Sequence, residues 1–325
     1  MSKVATVEVI KNIRKHPNAD SLEVANVLGW QIVCKAGAYK EGGKVIYINI
    51  DSVLEERPEY EFLRSKNFRV KQVRLRGEIS QGLCLPCSQD LEVGTDVSEM
   101  VGAKHYEKPV SIQLSGMAMG NFPHFLIKTD EDNLRNYSEA LEEVKNEILY
   151  TTIKLDGTSA TYFVKDGEFG FCSRNLQLKV EDENSIYAKM AIKYDIKNKM
   201  LKHAKQYGDF CIQGEIYGPG IQTNPMGAKE ISFSMFNGYK IAGKTHWGYS
   251  EIKRFSENYD IPKVTFLSAY TKCPSLEDLI AFANKMVYLN GKPAEGIVVR
   301  PWTPIFSHVL KKNWSAKIIN ENYND

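Results

Sequence analysis

The sequence contains no long hydrophobic segment and no excess of charge of one sign. No apolar run approaches the roughly 20 residues that a membrane-spanning helix needs, and the first residues lack the apolar core of a signal peptide. The 42 Lys and Arg residues are balanced by 40 Asp and Glu residues. We therefore expect a monomeric protein without membrane contact, in the cytoplasm or, as the alternative, the nucleus. Any contact with nucleic acid must be local, because overall charge does not provide it.

Cysteine is scarce, with six residues in 325. Only Cys84 and Cys87 have the spacing of a motif. A zinc ribbon needs a second such pair about 15–20 residues away, and a thioredoxin-like site must open a helix after a strand. Neither context is present, so the sequence predicts unpaired thiols in a reducing compartment.

The length of 325 residues predicts two domains. Short β-rich runs separated by turns fill residues 4–87 and predict an OB-type barrel. The polar segment 16–20 (HPNAD) is predicted to be a turn, with a ligand-contacting loop as the alternative. Periodicity is then lost in a linker containing Gly, Pro and Met. We predict an RNA-binding domain with its linker at 1–115 and a second domain at 116–325.

The second domain mixes helical and strand patterns. Apolar spacing predicts a helix over 130–145, and helical stretches follow near 184–206 and 275–289. Strand signals lie between these stretches, without the regular alternation of one strand and one helix that is typical of a parallel sheet. The fold class predicted for the whole chain is therefore α+β, with largely antiparallel sheets in this domain.

The strongest chemical feature is Lys154, which ends a predicted strand and is followed by Leu-Asp-Gly-Thr-Ser. A lysine at a strand end has a fixed main chain and can act as a nucleophile when it is deprotonated. We expect burial and neighbouring positive charge to deprotonate it. The alternative for this hexapeptide alone is a surface turn with one exposed lysine.

Later strands carry the groups that nucleotidyl transfer requires. These are a guanidinium, two strand carboxylates, an aromatic strand and two adjacent cations: Arg174, Glu215, Glu295, Phe233, Phe236, Lys311 and Lys312. Phosphoryl transfer depends mainly on positioning and charge neutralisation, and this combination supplies both.

These segments resemble the six ordered motifs of the covalent nucleotidyltransferases, the superfamily of polynucleotide ligases and messenger-RNA capping enzymes. The motifs are KLDGTS, SRN, GEIYG, FSMFN, EGIVVR and VLKK, in chain order. GEIYGPGIQ and FPHFLIKTDED are similar to RNA ligases in particular. Because 13 residues follow Lys312, we expect no C-terminal OB domain. The N-terminal barrel resembles the nick-sealing RNA ligases with a leading OB domain, sometimes called the fifth RNA-ligase family.

The resemblance implies an ATP-dependent RNA ligase whose second domain has the ATP-grasp-like ligase fold. Lys154 would attack the α-phosphate of ATP and carry AMP, and the AMP would pass to a 5′-phosphate that a 3′-hydroxyl then attacks. The partner would be RNA at a duplex nick, possibly an RNA/DNA hybrid. The implied roles are as follows: Glu295 and Glu215 hold Mg²⁺ or Mn²⁺, Glu215 or Arg174 binds the ribose, Phe236 or Phe233 binds adenine, and Lys311 or Lys312 binds the α-phosphate.

The chain departs from the family pattern at two points. Asn133 stands where the family usually has an arginine, and Arg135 is the candidate substitute for its phosphate contact. Lys311 and Lys312 are adjacent rather than spaced by one residue. Neighbouring strand residues face opposite sides, so one of the two is expected to reach the phosphate.

Three alternatives stay open at this level. Residues 238–245 fit the P-loop pattern, although the parallel sheet and metal-binding Asp of that fold are missing. A non-catalytic RNA-binding protein on a ligase fold is a second interpretation. A DNA ligase is the third. For the barrel, Lys71, Arg74 and Arg76 are candidate phosphate contacts, with a solvated strand face as the equally weighted alternative.

Overall fold

The computed structural model describes residues 3–87, 90–106 and 116–323. The chain divides into two compact units, residues 1–109 and 110–325. The predicted boundary at 115/116 lies outside the described residues. Across the described ranges, no helix has both the length and the apolar character to cross a membrane.

The N-terminal unit is a curled antiparallel sheet in the order β3-β2-β1-β4-β9, with short accessory strands. Its strands are β1 (Ala5–Lys15), β2 (Leu22–Val27), β3 (Trp30–Lys35), β4 (Lys44–Ile48), β5 (Ser52–Leu54), β6 (Arg69–Val70), β7 (Gln72–Leu75), β8 (Glu78–Gln81), β9 (Leu83–Pro86) and β10 (Ala103–His105), and a 3₁₀ helix covers Pro58–Lys66. In β4, Val45 and Tyr47 pack in one apolar cluster while Ile46 and Ile48 pack in another. Alternate residues of β4 thus face opposite sides of the curled sheet, and the predicted OB-type fold is confirmed.

The hairpin β7–β8 carries the predicted basic residues at its tip. Arg76 and Gly77 both have positive φ, 50° and 99°, which is the geometry of a tight two-residue hairpin turn. The predicted turn at 16–20 connects β1 to β2 and packs against this tip. There His16 Nε2 lies 3.0 Å from the Leu75 carbonyl oxygen, and Asn18 Nδ2 donates to the Arg76 carbonyl oxygen at 3.0 Å.

The C-terminal unit contains two large sheets and five short helices in its described part. Its strands are β11 (Ala118–Asn121), β12 (Asp132–Asn133), β13 (Leu149–Lys154), β14 (Thr158–Lys165), β15 (Glu168–Cys172), β16 (Leu176–Leu178), β17 (Phe210–Tyr217), β18 (Ser232–Lys240), β19 (Thr245–His246), β20 (Phe266–Tyr270), β21 (Gly296–Pro301), β22 (Phe306–Ser307), β23 (Lys312–Asn313) and β24 (Ala316–Ile319). Its helices are α1 (Ala140–Glu143), α2 (Ile186–Lys193), α3 (Ile196–Tyr207), α4 (Tyr249–Tyr259) and α5 (Leu276–Ala283), with 3₁₀ turns at Leu134–Asn136 and Ala242–Lys244. The α+β prediction is confirmed.

The seven-stranded sheet has the order β11-β16-β15-β14-β17-β18-β19. One face packs with α2, α3 and α4 in the largest apolar cluster. Along β14, Ala160, Tyr162 and Val164 belong to that cluster, so period-two alternation determines which face is buried. Ser185 caps α2 by accepting a hydrogen bond from the Ala188 N–H.

The five-stranded sheet has the order β12-β24-β21-β13-β20. Leu149 of β13 and Ile297 of β21 pack with α1 and α5 in a second cluster on one face. The chain leaves this sheet at Lys154 and enters the seven-stranded sheet at Thr158. The KLDGTS motif therefore lies where the chain crosses from one sheet to the other.

One expectation is wrong, and the disfavoured P-loop alternative is excluded. The predicted helix over 130–145 is replaced by β12, one 3₁₀ turn and the four-residue α1. The P-loop interpretation fails because residues 238–240 belong to β18, which pairs antiparallel with β17. A side chain at Gly238 would meet the Trp247 ring at 2.3 Å, so this glycine serves packing. The cysteine prediction is confirmed, since all six thiols are free.

Candidate active site

Lys154 is the last residue of β13, and its register partner on β21 is Gly296. Its side chain is 23% exposed, and Nζ lies 2.8 Å from Oε2 of Glu295. Glu295 directly precedes β21. The sequence predicts both residues as catalytic, and the structure brings them into contact although 141 positions separate them.

Three carboxylates act on the Lys154 amine. Burial alone lowers the pKa of Lys154, but Glu295, Glu215 and Asp156 together outweigh burial and hold that pKa above its ordinary value. Burial raises the pKa of Glu215 to about 8, with the opposing Lys154 charge only partly offsetting it. The expectation that neighbouring positive charge deprotonates Lys154 is therefore wrong for the ligand-free site, because the dominant nearby charges are negative.

Gly157 allows the motif to pass close to β17. A Cβ atom at this position would lie 2.3 Å from the Ile216 carbonyl oxygen and 3.1 Å from Glu215 Cγ. Gln222 Nε2 donates to the Gly157 carbonyl oxygen at 3.0 Å, which fixes the other side of the loop. The glycine of the motif is thus required by the close approach of the motif loop to β17.

Two tyrosines contact the motif, and sequence reasoning missed both. The Tyr288 hydroxyl donates to the Lys154 carbonyl oxygen at 3.0 Å and accepts from the Glu295 N–H at 3.1 Å. The Tyr323 hydroxyl donates to Asp156 Oδ2 at 2.5 Å. Neither lies in one of the six recognised segments, so the sequence offered no signal for them beyond an unassigned aromatic residue.

An acidic segment ties the two sheets together. We call residues 127–133 the acidic strap. Asp130 pairs with Arg174 at 2.8 Å, which places Arg174 beside the strap rather than in contact with the lysine. Glu131 is 17% exposed and pairs with Arg300 at 2.8 Å, and Asp132 pairs with Lys312 at 2.8 Å. These pairs explain why the segment is extended instead of helical.

The structure distinguishes the two adjacent lysines. Lys311 is exposed in a turn with φ of 55°, whereas Lys312 begins β23 and reaches the strap. A third cation was missed. Lys317 of β24 stands opposite Val298, which stands opposite Thr152 of β13. Residues opposite each other in an antiparallel sheet share a face, and alternation along β13 puts Thr152 and Lys154 on the same face. Lys317 therefore projects from the face that carries Lys154.

The two aromatic candidates occupy different environments. Phe233 is fully buried in the apolar cluster, with its ring centre 5.3 Å from that of Tyr162, so its predicted contact with adenine is wrong. Phe236 is half-buried. It lies at a bulge in β18, because Met235 pairs with Gly214 of β17 and Asn237 pairs with the adjacent Gln213. It remains the candidate for adenine.

Arg135 does not fill the role assigned to it. Its side chain is 1% exposed, and Nη1 lies 2.8 Å from Glu321 Oε1. A guanidinium held inside the protein by a carboxylate cannot reach a substrate phosphate, so the predicted contact is wrong. The missing family arginine at Asn133 is not replaced from this position.

The carboxylates fit a divalent cation that keeps much of its hydration. In the described part of the chain, no group of three or more His, Cys, Asp or Glu residues could hold a metal ion by itself. Mg²⁺ is usually held by one or two carboxylates, water and substrate phosphates. Glu295 and Glu215 supply that donor set beside Lys154.

Comparisons with known proteins agree with this geometry. A sequence profile described as RNA ligase matches residues 147–318, which is more than half of the chain. The chain belongs to the RNA ligase family. A second profile, described as an OB-fold domain, matches residues 4–87 of the ligase. Both the predicted family and the predicted OB-type fold of the N-terminal segment are confirmed.

Solved structures of Naegleria gruberi RNA ligase are similar to the ligase along nearly its full length. A mutant with AMP and Mn aligns with a TM-score of 0.85 at 29% identity, covering 98% of this chain and 97% of the other. The structure with PPi gives a TM-score of 0.84 at the same identity and coverage. A mutant with ATP and Mn gives 0.85.

One curated protein matches a shorter stretch. The phenylalanine–tRNA ligase beta subunit of Halalkalibacterium halodurans is 29% identical over 128 residues, covering 31% of this chain. The match spans only 14% of that subunit's length. It therefore indicates a shared segment and not a shared overall architecture.

Proposed function

We propose that this chain is an ATP-dependent RNA ligase that joins a 3′-hydroxyl RNA end to a 5′-phosphate end at a duplex nick. The observation that carries the proposal is the contact between Lys154 and Glu295, with Glu215 and Asp156 close enough to shift the lysine pKa. The Naegleria structures solved with ATP, with AMP and with Mn support ATP and a divalent cation, Mg²⁺ or Mn²⁺, as cofactors.

In the first step the Lys154 amine attacks the α-phosphorus of ATP, forming a P–N bond as the bond to the β-phosphate oxygen breaks and pyrophosphate leaves. The amine must first lose a proton, which passes to solvent. Its ion pair with Glu295 opposes that loss, so separation of Lys154 from Glu295 is a required part of the step. A divalent cation bound by Glu295 and Glu215 would neutralise these carboxylates and the phosphate charge.

The remaining steps transfer AMP and then release it. A 5′-phosphate oxygen of RNA attacks the lysyl-AMP phosphorus and displaces the amine, which gives an AMP-capped end. The 3′-hydroxyl then attacks the capped phosphate, a phosphodiester forms, and AMP leaves with the proton passing to solvent. Lys317 and Lys312 are assigned to phosphate neutralisation, Lys311 is the alternative, and Phe236 is assigned to adenine stacking.

The N-terminal hairpin is assigned to the RNA flanking the nick. Lys71, Arg74 and Arg76 are exposed on and beside β7. The turn at 16–20 contacts the Leu75 and Arg76 carbonyl oxygens of the hairpin tip, and Arg74 Nη1 donates to the Gly77 carbonyl oxygen at 3.5 Å. Contacts between cationic side chains and phosphates position a duplex without reading its sequence. We further propose a monomer in the cytoplasm, where a reducing environment suits the six free thiols.

The test is to incubate the purified protein with α-labelled ATP and a divalent cation, beside Lys154→Ala and the exposed-lysine control Lys244→Ala. We expect label on the denatured wild-type and control proteins and none on Lys154→Ala. Absence of label on all three, even after pyrophosphate removes preformed AMP, would refute the ligase and favour a non-catalytic RNA-binding protein.

Substrate class is tested with nicked duplexes that carry RNA or DNA on either side of the nick. We expect sealing when the 3′-hydroxyl strand is RNA. Equal rates on all-DNA nicks would contradict the RNA assignment and support the DNA ligase alternative. Sealing of free single strands at the same rate would contradict the assignment of a duplex nick.

A further inference from the structure

Tyr288 lies in a tight turn between α5 and β21. Its N–H donates to the Lys292 carbonyl oxygen at 2.8 Å, and its own carbonyl accepts from the Gly291 N–H at 2.9 Å. The residue is 5% exposed, whereas the next residue, Leu289, is fully exposed. The turn therefore directs one ring inward and fixes its position by main-chain bonds.

The hydroxyl joins two main-chain groups beyond the end of a strand ladder. The paired register of β13 and β21 ends at Lys154 and Gly296. Past that point, the Tyr288 hydroxyl donates to the Lys154 carbonyl and accepts from the Glu295 N–H. A phenol has one proton to donate, and an amide can only donate, so the direction of both bonds is determined. The side chain thus bridges the two strands where their own pairing has stopped.

This bridge joins the main chains of the two residues whose side chains form the ion pair of the site. Lys154 and Glu295 are in contact at 2.8 Å, and their main chains are the two groups that Tyr288 connects. Its two hydroxyl bonds are both to main chain, which leaves no role for it in contacting substrate.

We propose that Tyr288 is a positioning residue for lysyl-AMP formation, which sets the spacing of Lys154 and Glu295 by bridging their main chains. The proposal rests on the proposed function, because it assigns Lys154 as the nucleophile. Small errors in the position of a nucleophile reduce rates strongly. A residue that acts in this way changes the rate of the step and leaves the affinity for ATP unchanged.

The variant is Tyr288→Phe, which retains the ring and removes both hydroxyl bonds. The matched control is Tyr162→Phe, because Tyr162 is also fully buried and its hydroxyl donates to a main-chain carbonyl, that of Tyr187, at 2.9 Å in the apolar cluster. Single-turnover labelling with α-labelled ATP gives the rate constant and the ATP concentration for half-maximal rate. Thermal melting shows the temperature range in which both variants are folded, and rates are compared within it.

We expect Tyr288→Phe to lower the rate constant about tenfold with the half-saturating ATP concentration unchanged, and Tyr162→Phe to leave both unchanged. Sealing of RNA that already carries the AMP cap bypasses attack by Lys154, so Tyr288→Phe should slow that reaction less than it slows labelling. Equal slowing of both reactions, or slowing equal to that of Tyr162→Phe, would overturn the proposal. Failure of the wild-type protein to take label would instead refute the proposed function.

Discussion

Substitution of Gly157 by alanine tests whether close approach of the motif loop to β17 sets the position of Lys154. The added methyl carbon would lie 2.3 Å from the Ile216 carbonyl oxygen, whereas ordinary contacts lie at 3.4–4 Å. The obstructing atom belongs to the main chain of β17 and cannot rotate away. The motif loop must therefore move by about 1 Å, taking Asp156 and the end of β13 with it.

A displacement of about 1 Å at a reacting group costs on the order of 100-fold in rate. We expect Gly157→Ala to reduce the single-turnover rate of lysyl-AMP formation by about that factor. The overpacking should also lower the free energy of unfolding by about 1–3 kcal/mol. Labelling with α-labelled ATP measures the first quantity, and denaturant unfolding measures the second.

Gly120→Ala is the matched control, because a Cβ atom there meets nothing within 4 Å and its φ is not positive. It should label at the wild-type rate and be as stable as wild type or slightly more stable. A rate for Gly157→Ala within threefold of wild type would refute the reasoning, since the loop would then tolerate the methyl group without moving Lys154. Loss of stability without loss of rate would lead to the same conclusion.

Three further predictions concern other parts of the C-terminal unit. Phe236→Leu should raise the half-saturating ATP concentration about tenfold, because it removes a stacking interaction worth roughly 1–3 kcal/mol. An unchanged half-saturating ATP concentration in steady-state labelling would contradict the assignment of Phe236 to adenine. Tyr323→Phe removes the donor 2.5 Å from Asp156 and should lower the free energy of unfolding by about 1–2 kcal/mol, which urea titration checks. Burial lowers the pKa of His203 to about 4; the unfolded chain therefore binds a proton that the folded chain does not between pH 6.5 and 4, and stability falls as pH falls through that window. Because the ring is only half-buried, we expect the free energy of unfolding to fall by about 1 kcal/mol from pH 7 to 5. The free energy of unfolding of His203→Phe should depend less on pH over this range. A pH dependence identical to that of wild type would contradict the prediction.

Much of the site could be predicted from the sequence because its chemistry is concentrated in short segments. Lys154, Glu215 and Glu295 each lie at or beside a strand end, and their residue types suffice to indicate nucleotidyl transfer. The period-two alternation of the strands also predicted the sheets. What the sequence did not provide was the environment of each group. The pKa of Lys154 depends on carboxylates 61 and 141 positions away, and local reasoning assigned it the wrong neighbouring charge.

The failures share a physical cause. The acidic segment at 130–132 has helical spacing and an acidic start, but its carboxylates pair with Arg174, Arg300 and Lys312, whose positions no local pattern reveals. Phe233 and Phe236 are equivalent by type, and the bulge in β18 separates a core residue from an accessible one. Lys317 was missed because its relation to Lys154 runs through an intervening strand. In each case a tertiary contact outweighs a local preference.

The separation of Lys154 from Glu295 has a consequence for synthesis of the protein. The 141 positions between them take roughly 7 to 28 s to translate at about 5–20 residues per second. During that interval β13 lacks its partner β21, and the lysine lacks the carboxylate with which it pairs. A nascent or prematurely terminated chain that ends before β21 therefore contains Lys154 without the strand and the carboxylate that position it.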